Sequence, residues 1–165
     1  MPAAELLALA ERVEGLTEAS REVDAAVTFD LFATPVGKHK IDDGPIGYIR
    51  LDDQPSWNLG IRFPGKNREW FTETRKRLEG ETLLIERDGA FVLMNNIRIE
   101  PLTASLDAVV SLIEQVLPGA IWLISSANIA NIRHPDRSDF FANATSPARA
   151  LLACALRAKA AEVAG

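Results

Sequence analysis

Apolar residues recur at helical spacing near both ends of this chain and alternate through its middle. Leu6, Leu7, Ala10 and Val13 share one helical face over residues 3–14, and Gly15 stops the pattern. Ser20 is placed to cap a second helix, with Glu22 and Asp24 in the first turn, where negative charge meets the positive end of the helix dipole. Val23, Ala26, Val27 and Leu31 form its apolar stripe. Residues 1–33 hold seven carboxylates against two cations, which predicts a solvated acidic helix face.

The middle of the chain changes period. Pro35, Gly37, Asp42, Asp43, Gly44 and Pro45 predict a loop over 34–45. Gly47–Leu51 alternates as a strand, Asp52–Pro55 turns, and Trp57, Leu59, Ile61 and Phe63 mark one side of a second strand that pairs with the first. Asn67–Leu78 is predicted helical, with Trp70, Phe71, Thr74 and Leu78 on one face and Gly80 as its end. Thr82–Arg87 and Ala90–Met94 flank Asp88-Gly89, the dipeptide a type I′ hairpin turn requires because both central residues need positive φ. Ile97–Glu100 reads as a further short strand.

The last third carries the densest apolar pattern. Ser105 caps a helix over 106–117, with Leu106, Val109, Val110, Ile113 and Leu117 inward and Pro118-Gly119 as the stop. Ala120–Ser125 reads as a buried strand and Asn128–Arg133 as another. Phe140–Ala142 fits either a strand or a loop anchored by two aromatics. Ser146 caps a final helix with Pro147 at its first position, where the missing N–H costs nothing. The order of elements predicts an α+β fold, an antiparallel sheet sandwiched between helices (α-β-α). One domain over 1–165 is expected: N-terminal helices (1–33), an inserted region of β-hairpins and a basic helix (34–100), and a helix–strands–helix scaffold (101–165).

Composition narrows the function classes. The net charge of −5 disfavours duplex nucleic acid as the main partner. One cysteine, Cys154, excludes an internal disulfide framework, and its Ala/Leu setting predicts a small buried residue. No segment approaches a membrane span, and the N-terminus lacks the pattern of a signal peptide, so a cytoplasmic location is expected. Two histidines and one cysteine do not suggest a zinc site, and no cofactor signature is present.

Candidate chemistry is sparse. His134, Asp136 and Ser138 lie within one proline turn, whereas hydrolase triads are assembled from distant segments. Ser125-Ser126 lacks a nucleophile elbow. Asp42-Asp43 and Asp52-Asp53 could hold Mg²⁺ for a phosphate substrate, but neither pair has a calcium-loop or nuclease spacing and turn chemistry explains them better. Residues 62–77 hold six cations against two carboxylates, the strongest basic patch in the chain. Pro64–Arg68 lacks a phosphate-loop signature, yet its strand-to-helix turn places Lys66 and Arg68 where an anion can bind. Arg133, His134 and Arg137 suggest a second small anion-binding turn. The candidate ligand-binding set is therefore Arg62, Lys66, Arg68, Arg133 and Arg137, with no catalytic residue and no metal ligand. Trp57, Trp70 and Trp122 read as core or interface anchors.

Leu6–Glu14 followed by Ser20–Ala26, the helix start Thr103–Ala108, the later Trp122 and the ending Pro147-Ala148 through Cys154–Ala158 resemble small phage and prophage proteins of the phage ABA sandwich domain family. The similarity covers about residues 3–28 and 101–160, with 34–100 as an insertion relative to the short members. The resemblance implies an α-β-α sandwich and a phage or prophage setting in a bacterial host cell. The expected function is that of a non-enzymatic accessory protein that binds a host or phage protein through 34–100. An alternative by analogy is an oligomeric sponge for a nucleotide-type immune signal, an anti-defence role. A third reading is a metal-dependent enzyme acting on phosphates. The expected partner is a protein or a small anionic ligand, not a membrane, with room for a homo-oligomer.

Overall fold

The final helix, α5 (Pro147–Ala164), is the centre of its unit. The Ser146 hydroxyl accepts from Arg149 N at 3.2 Å, and Pro147 opens the first turn. Residues 150–156 are all buried, so the helix is apolar around its whole circumference and must be enclosed on every side. In this computed structural model it packs against α1 (Ala3–Glu14), α4 (Leu106–Val116) and the strands β6 (Ile121–Ile124), β7 (Ile129–Arg133) and β8 (Asp139–Asn143). Its many alanines let those neighbours approach closely.

The structure describes residues 3–32, 34–41, 44–50, 60–63, 65–78, 80–87, 89–95, 98–136 and 138–165, with backbone alone at 34–41, 44–50, 60–63 and 95. The chain is α+β, and both of its sheets are antiparallel. It divides into two compact units, residues 1–27 with 100–165, and residues 28–99. Among the described residues no helix is long and apolar enough to cross a membrane.

In the first unit the sheet order is β6-β7-β8. Ala130, Ile132 and Ala142 are buried on its inner face, while Ile121, Leu123, Ile129 and Phe141 on the other face are 42–66% exposed. The strand expected to be buried at 120–125 is therefore half-buried on one face and exposed on the other. Alternation along β6 turns Ile121 and Leu123 to the open side.

Polar groups tie the N-terminal helices to the scaffold. The start of α2 (Arg21–Phe32) is capped by the Ser20 hydroxyl, which accepts from Val23 N at 3.3 Å. Asp24, 1% exposed, accepts from Thr103 N at 2.7 Å and pairs with Arg21. The Thr103 hydroxyl accepts from Ser20 N at 2.8 Å. Arg149, also buried, donates to Thr103 O and to the Thr145 hydroxyl, which itself donates to Leu16 O. Asp24 is thus not part of a solvated acidic face: it terminates a buried backbone N–H that would otherwise go unpaired. Lys159 reaches across to Val116 O, one of the orphan carbonyls at the end of α4.

Glu14 closes the other end of this unit. Its carboxylate accepts from the Arg157 guanidinium and, at 3.1 Å, from Asn143 N of β8. Burial pushes this carboxyl up, but the Arg157 hydrogen bond, the Asn143 N–H and the Arg157 charge outweigh it and hold the pKa below the ordinary 4.5. A carboxyl lowered in the folded state lends stability above its unfolded pKa and loses it as pH falls through the folded value. Glu14→Gln is therefore expected to lose less stability than the parent chain on acidification. Urea midpoints measured near neutrality and again in acid, below the parent's folded pKa, read the difference. Equal losses in the two chains would count against this role.

The second unit is built on a five-stranded sheet of order β1-β2-β3-β5-β4. Its strands are β1 (Thr34–Ile41), β2 (Gly44–Arg50), β3 (Gly60–Phe63), β4 (Thr82–Arg87) and β5 (Ala90–Asn95). The loop expected at 34–45 is instead the β1–β2 hairpin. Pro35 and Gly37 are accommodated because β1 is an edge strand and its register shifts between Pro35 and Lys38, and edges and bulges are where sheets tolerate both residues. β2 pairs with β3 as expected, through Tyr48↔Ile61. Of the predicted strand at 57–63, residues 60–63 are β3, and Trp57–Leu59 with the Asp52–Pro55 turn lie outside the described residues. The β4–β5 hairpin forms with Gly89 at φ +71°, and Asp88 lies outside the described residues. The short strand expected at 97–100 does not form at 98–100. Leu102 N instead bonds Glu100 O and the chain turns into the next unit, while Ile97 is outside the described residues.

Candidate binding surface

Helix α3 (Arg68–Arg75) is the crossover from β3 to β4, with β5 lying between those two strands in the sheet. Gly65, at φ +78°, turns the chain out of the strand, a conformation that costs a residue with a Cβ. The Asn67 carbonyl oxygen then accepts from Trp70 N at 2.9 Å and caps the helix. The sequence reading missed Asn67 as a cap, although asparagine ahead of an amphipathic run is a recognised start signal. The helix ends at Arg75, three residues before its predicted end.

One side chain anchors this helix. Phe71 is fully buried on Leu84 and Leu93, a directly opposed pair on β4 and β5, with Leu78 and Phe91 packed beside them. Its ring lies 5.2 Å from Phe91 and meets Trp70 edge-on at 4.9 Å. Arg68 and Arg75, which flank Phe71 on the helix, and Lys76 and Arg77, just beyond the end of α3, are all exposed. Over residues 66–77 five cations stand against Glu69 and Glu73. Glu73 takes Lys76 at 2.9 Å, a pair exposed on both sides.

Two of the cations are held over rings. Lys66 Nζ lies 5.5 Å from the Trp70 ring centre, and the Arg68 guanidinium lies 5.4 Å from that of Phe91. Phe91 is distant in sequence, and only the sheet register brings it under Arg68.

The other candidates are placed differently. Arg62 sits in β3 opposite Val92, and its side chain lies outside the described residues, as does Arg137 altogether. Arg133 belongs to the first unit, where its Nε and Nη2 donate to the two Asp139 oxygens at 3.1 and 3.4 Å. The Asp139 hydrogen bond and charge push its pKa above the ordinary guanidinium value.

The remaining constellations are turns and core. Asp136 N faces His134 Nδ1 at 3.5 Å within one turn. The Ser125 hydroxyl accepts from Ala127 N and Ile129 N, the bonding of a tight turn rather than of a nucleophile. Cys154 is buried, donates to Phe140 O at 3.1 Å and has its pKa pushed up to about 12 by burial, so it is a packing residue with little thiolate. Asp42, Asp43, Asp52 and Asp53 lie outside the described residues. Among the described residues no three His, Cys, Asp or Glu side chains converge as metal ligands. No protein-family model, curated protein or solved structure matches the chain.

Proposed function

We propose that the chain acts by binding, and that the exposed basic residues of α3 and of the turn that follows it dock on an acidic surface of a partner protein. The observation that carries this reading is the anchoring of α3 by Phe71, which leaves Arg68, Arg75, Lys76 and Arg77 exposed together, with Lys66 and Arg68 steadied over Trp70 and Phe91. Small-molecule sites are concave and enclose their ligand. The polar side of a surface helix is convex, which suits a protein face better than a nucleotide. Fixed, like-signed charges also raise the rate at which an oppositely charged partner is found. The phage or prophage setting implied by the family resemblance belongs to this proposal and supplies the source of partners.

The test is affinity capture from host lysate with the full chain and with the triple variant Arg75→Glu, Lys76→Glu, Arg77→Glu. These side chains are exposed, so the variant is expected to fold with an unchanged circular dichroism spectrum. Capture of the partner is expected to fall at least about tenfold in the variant and to weaken with added salt in the parent chain. Equal, salt-insensitive capture by both chains would overturn the proposal.

A further inference from the structure

The two edges of the β6-β7-β8 sheet are treated differently by the rest of the molecule. In an antiparallel pair, alternate residues turn their N–H and C=O groups toward the neighbouring strand and the others turn them away. The Ala144 N to Asn128 O bond sets this alternation for β7 and β8, and leaves Phe141 and Asn143 facing outward on β8. One outward group of each is bonded: Asn143 N donates to Glu14, and Phe141 O accepts from Arg157.

On the opposite side, Ser125 N donates to Ile129 O at 2.9 Å, which sets the alternation for β6 and β7. Leu123 and Ile121 then bond β7, and the N–H and C=O groups of Trp122 and Ile124 face away from the sheet. Among the described residues nothing bonds those outward groups. Natural edge strands are usually guarded by a charge, a proline or a bulge. Residues 120–130 contain no charged residue and no proline, and β6 pairs with β7 in unbroken register. Beside this edge, Ile121 and Leu123 stand 65% and 66% exposed on the open face.

We propose that β6 is a self-pairing edge: two copies of the chain join β6 to β6 antiparallel about a two-fold axis through Leu123, merging their sheets into one. The occupant is a second copy because the edge complements itself. With Leu123 on the axis, Trp122 of each copy exchanges both main-chain bonds with Ile124 of the other, so all the outward groups of β6 are used. This is an isologous contact, which closes after two copies. Charge favours the same occupant. The chain carries −5 overall, yet the strip at the junction is uncharged, and the nearest charges on the open face, Arg133 and Asp139, neutralise each other. An acidic molecule can approach its own copy here without repulsion. Leu123 meets its symmetry mate in a non-hydrogen-bonded pair, the arrangement that brings side chains closest.

The geometry gives a register-specific test. Facing Cα atoms in such a pair lie about 4.5 Å apart, within the span of a disulfide. Leu123→Cys is therefore expected to form a covalent dimer on mild oxidation, with Cys154 buried and uninvolved. Phe141→Cys is the control. It sits on the same face, in the same cross-strand row as Leu123 and Asn131, but about 10 Å from Leu123 across two strand spacings. It is expected to stay uncrosslinked. In the unmodified chain, sedimentation equilibrium is expected to show a dimer, and the Trp122 and Ile124 amides to gain protection from hydrogen exchange as concentration rises. Four results would overturn the proposal. They are a monomer at the highest soluble concentration with those amides unprotected, a dimer in which they stay unprotected, crosslinking through Phe141→Cys in place of Leu123→Cys, and a monomer that binds a foreign strand at β6.

Discussion

Arg87→Met is expected to destabilise the second unit by about 3–5 kcal/mol, the range for breaking one side of a buried ion pair. Arg87 Nε and Nη2 donate to Asp30 Oδ1 and Oδ2 at 2.8 and 3.0 Å, a bidentate grip that joins the end of α2 to β4. The side chains are 16% and 2% exposed, so water cannot take over when the guanidinium is removed. The large effect comes from stranding the Asp30 carboxylate, not from the net worth of the pair. The double variant Arg87→Met with Asp30→Leu is accordingly expected to recover most of the loss. Urea unfolding of the single and double variants, with hydrogen exchange across β4 and β5 as the local readout, checks both statements. A single-variant loss below about 1 kcal/mol would place the pair among ordinary surface ion pairs and refute this account.

Leu152→Ala is expected to cost the first unit about 2.7–5 kcal/mol. Leu152 is fully buried in α5. Truncation removes transfer free energy and leaves a cavity that close-packed neighbours fill only in part. Because α5 is the element against which α1, α4 and the sheet all pack, the loss is expected to lower the unfolding midpoint of the whole unit and not to fray one end. Leu7→Ala provides the contrast. Leu7 is on α1 but 44% exposed, and its truncation is expected to change stability by no more than about 0.5 kcal/mol. Denaturant melts followed by circular dichroism compare the two. Similar midpoints would show that α5 is not the organising helix.

The contrast between these residues shows how much of the fold could be read from the chain. Of the expected inward stripe Leu6, Leu7, Ala10 and Val13, three residues are buried because helical periodicity is local, whereas Leu7 is 44% exposed. The caps at Ser20, Ser105 and Ser146 were legible for the same reason: each hydroxyl bonds an N–H three residues on. The glycine of the β4–β5 turn follows from the φ its position requires. The β1–β2 hairpin was not legible. Proline and glycine are breakers as local signals, and only a sheet edge with a register shift makes them tolerable. The roles of Asp24 and Asp30 were hidden as well, since their partners Thr103 and Arg87 lie far along the chain. At the candidate surface, the cation run of α3 was plain in the sequence, whereas the ring beneath Arg68 depended on where β5 falls in the sheet.

The sequence by itself determined the α+β class, most of the element positions, the helix caps at Ser20, Ser105 and Ser146, and the basic helix. Each of these rests on interactions spanning a few residues, which composition and spacing encode directly. Tertiary structure alone decided which carboxylates are buried and paired, that residues 150–156 of α5 are all enclosed, that Arg133 pairs with Asp139, and that outward groups of β8 are bonded while among the described residues those of β6 are not. Those outcomes depend on contacts between residues distant in the chain. Burial and the pairing of backbone groups are properties of what surrounds a residue, and no local pattern carries that information.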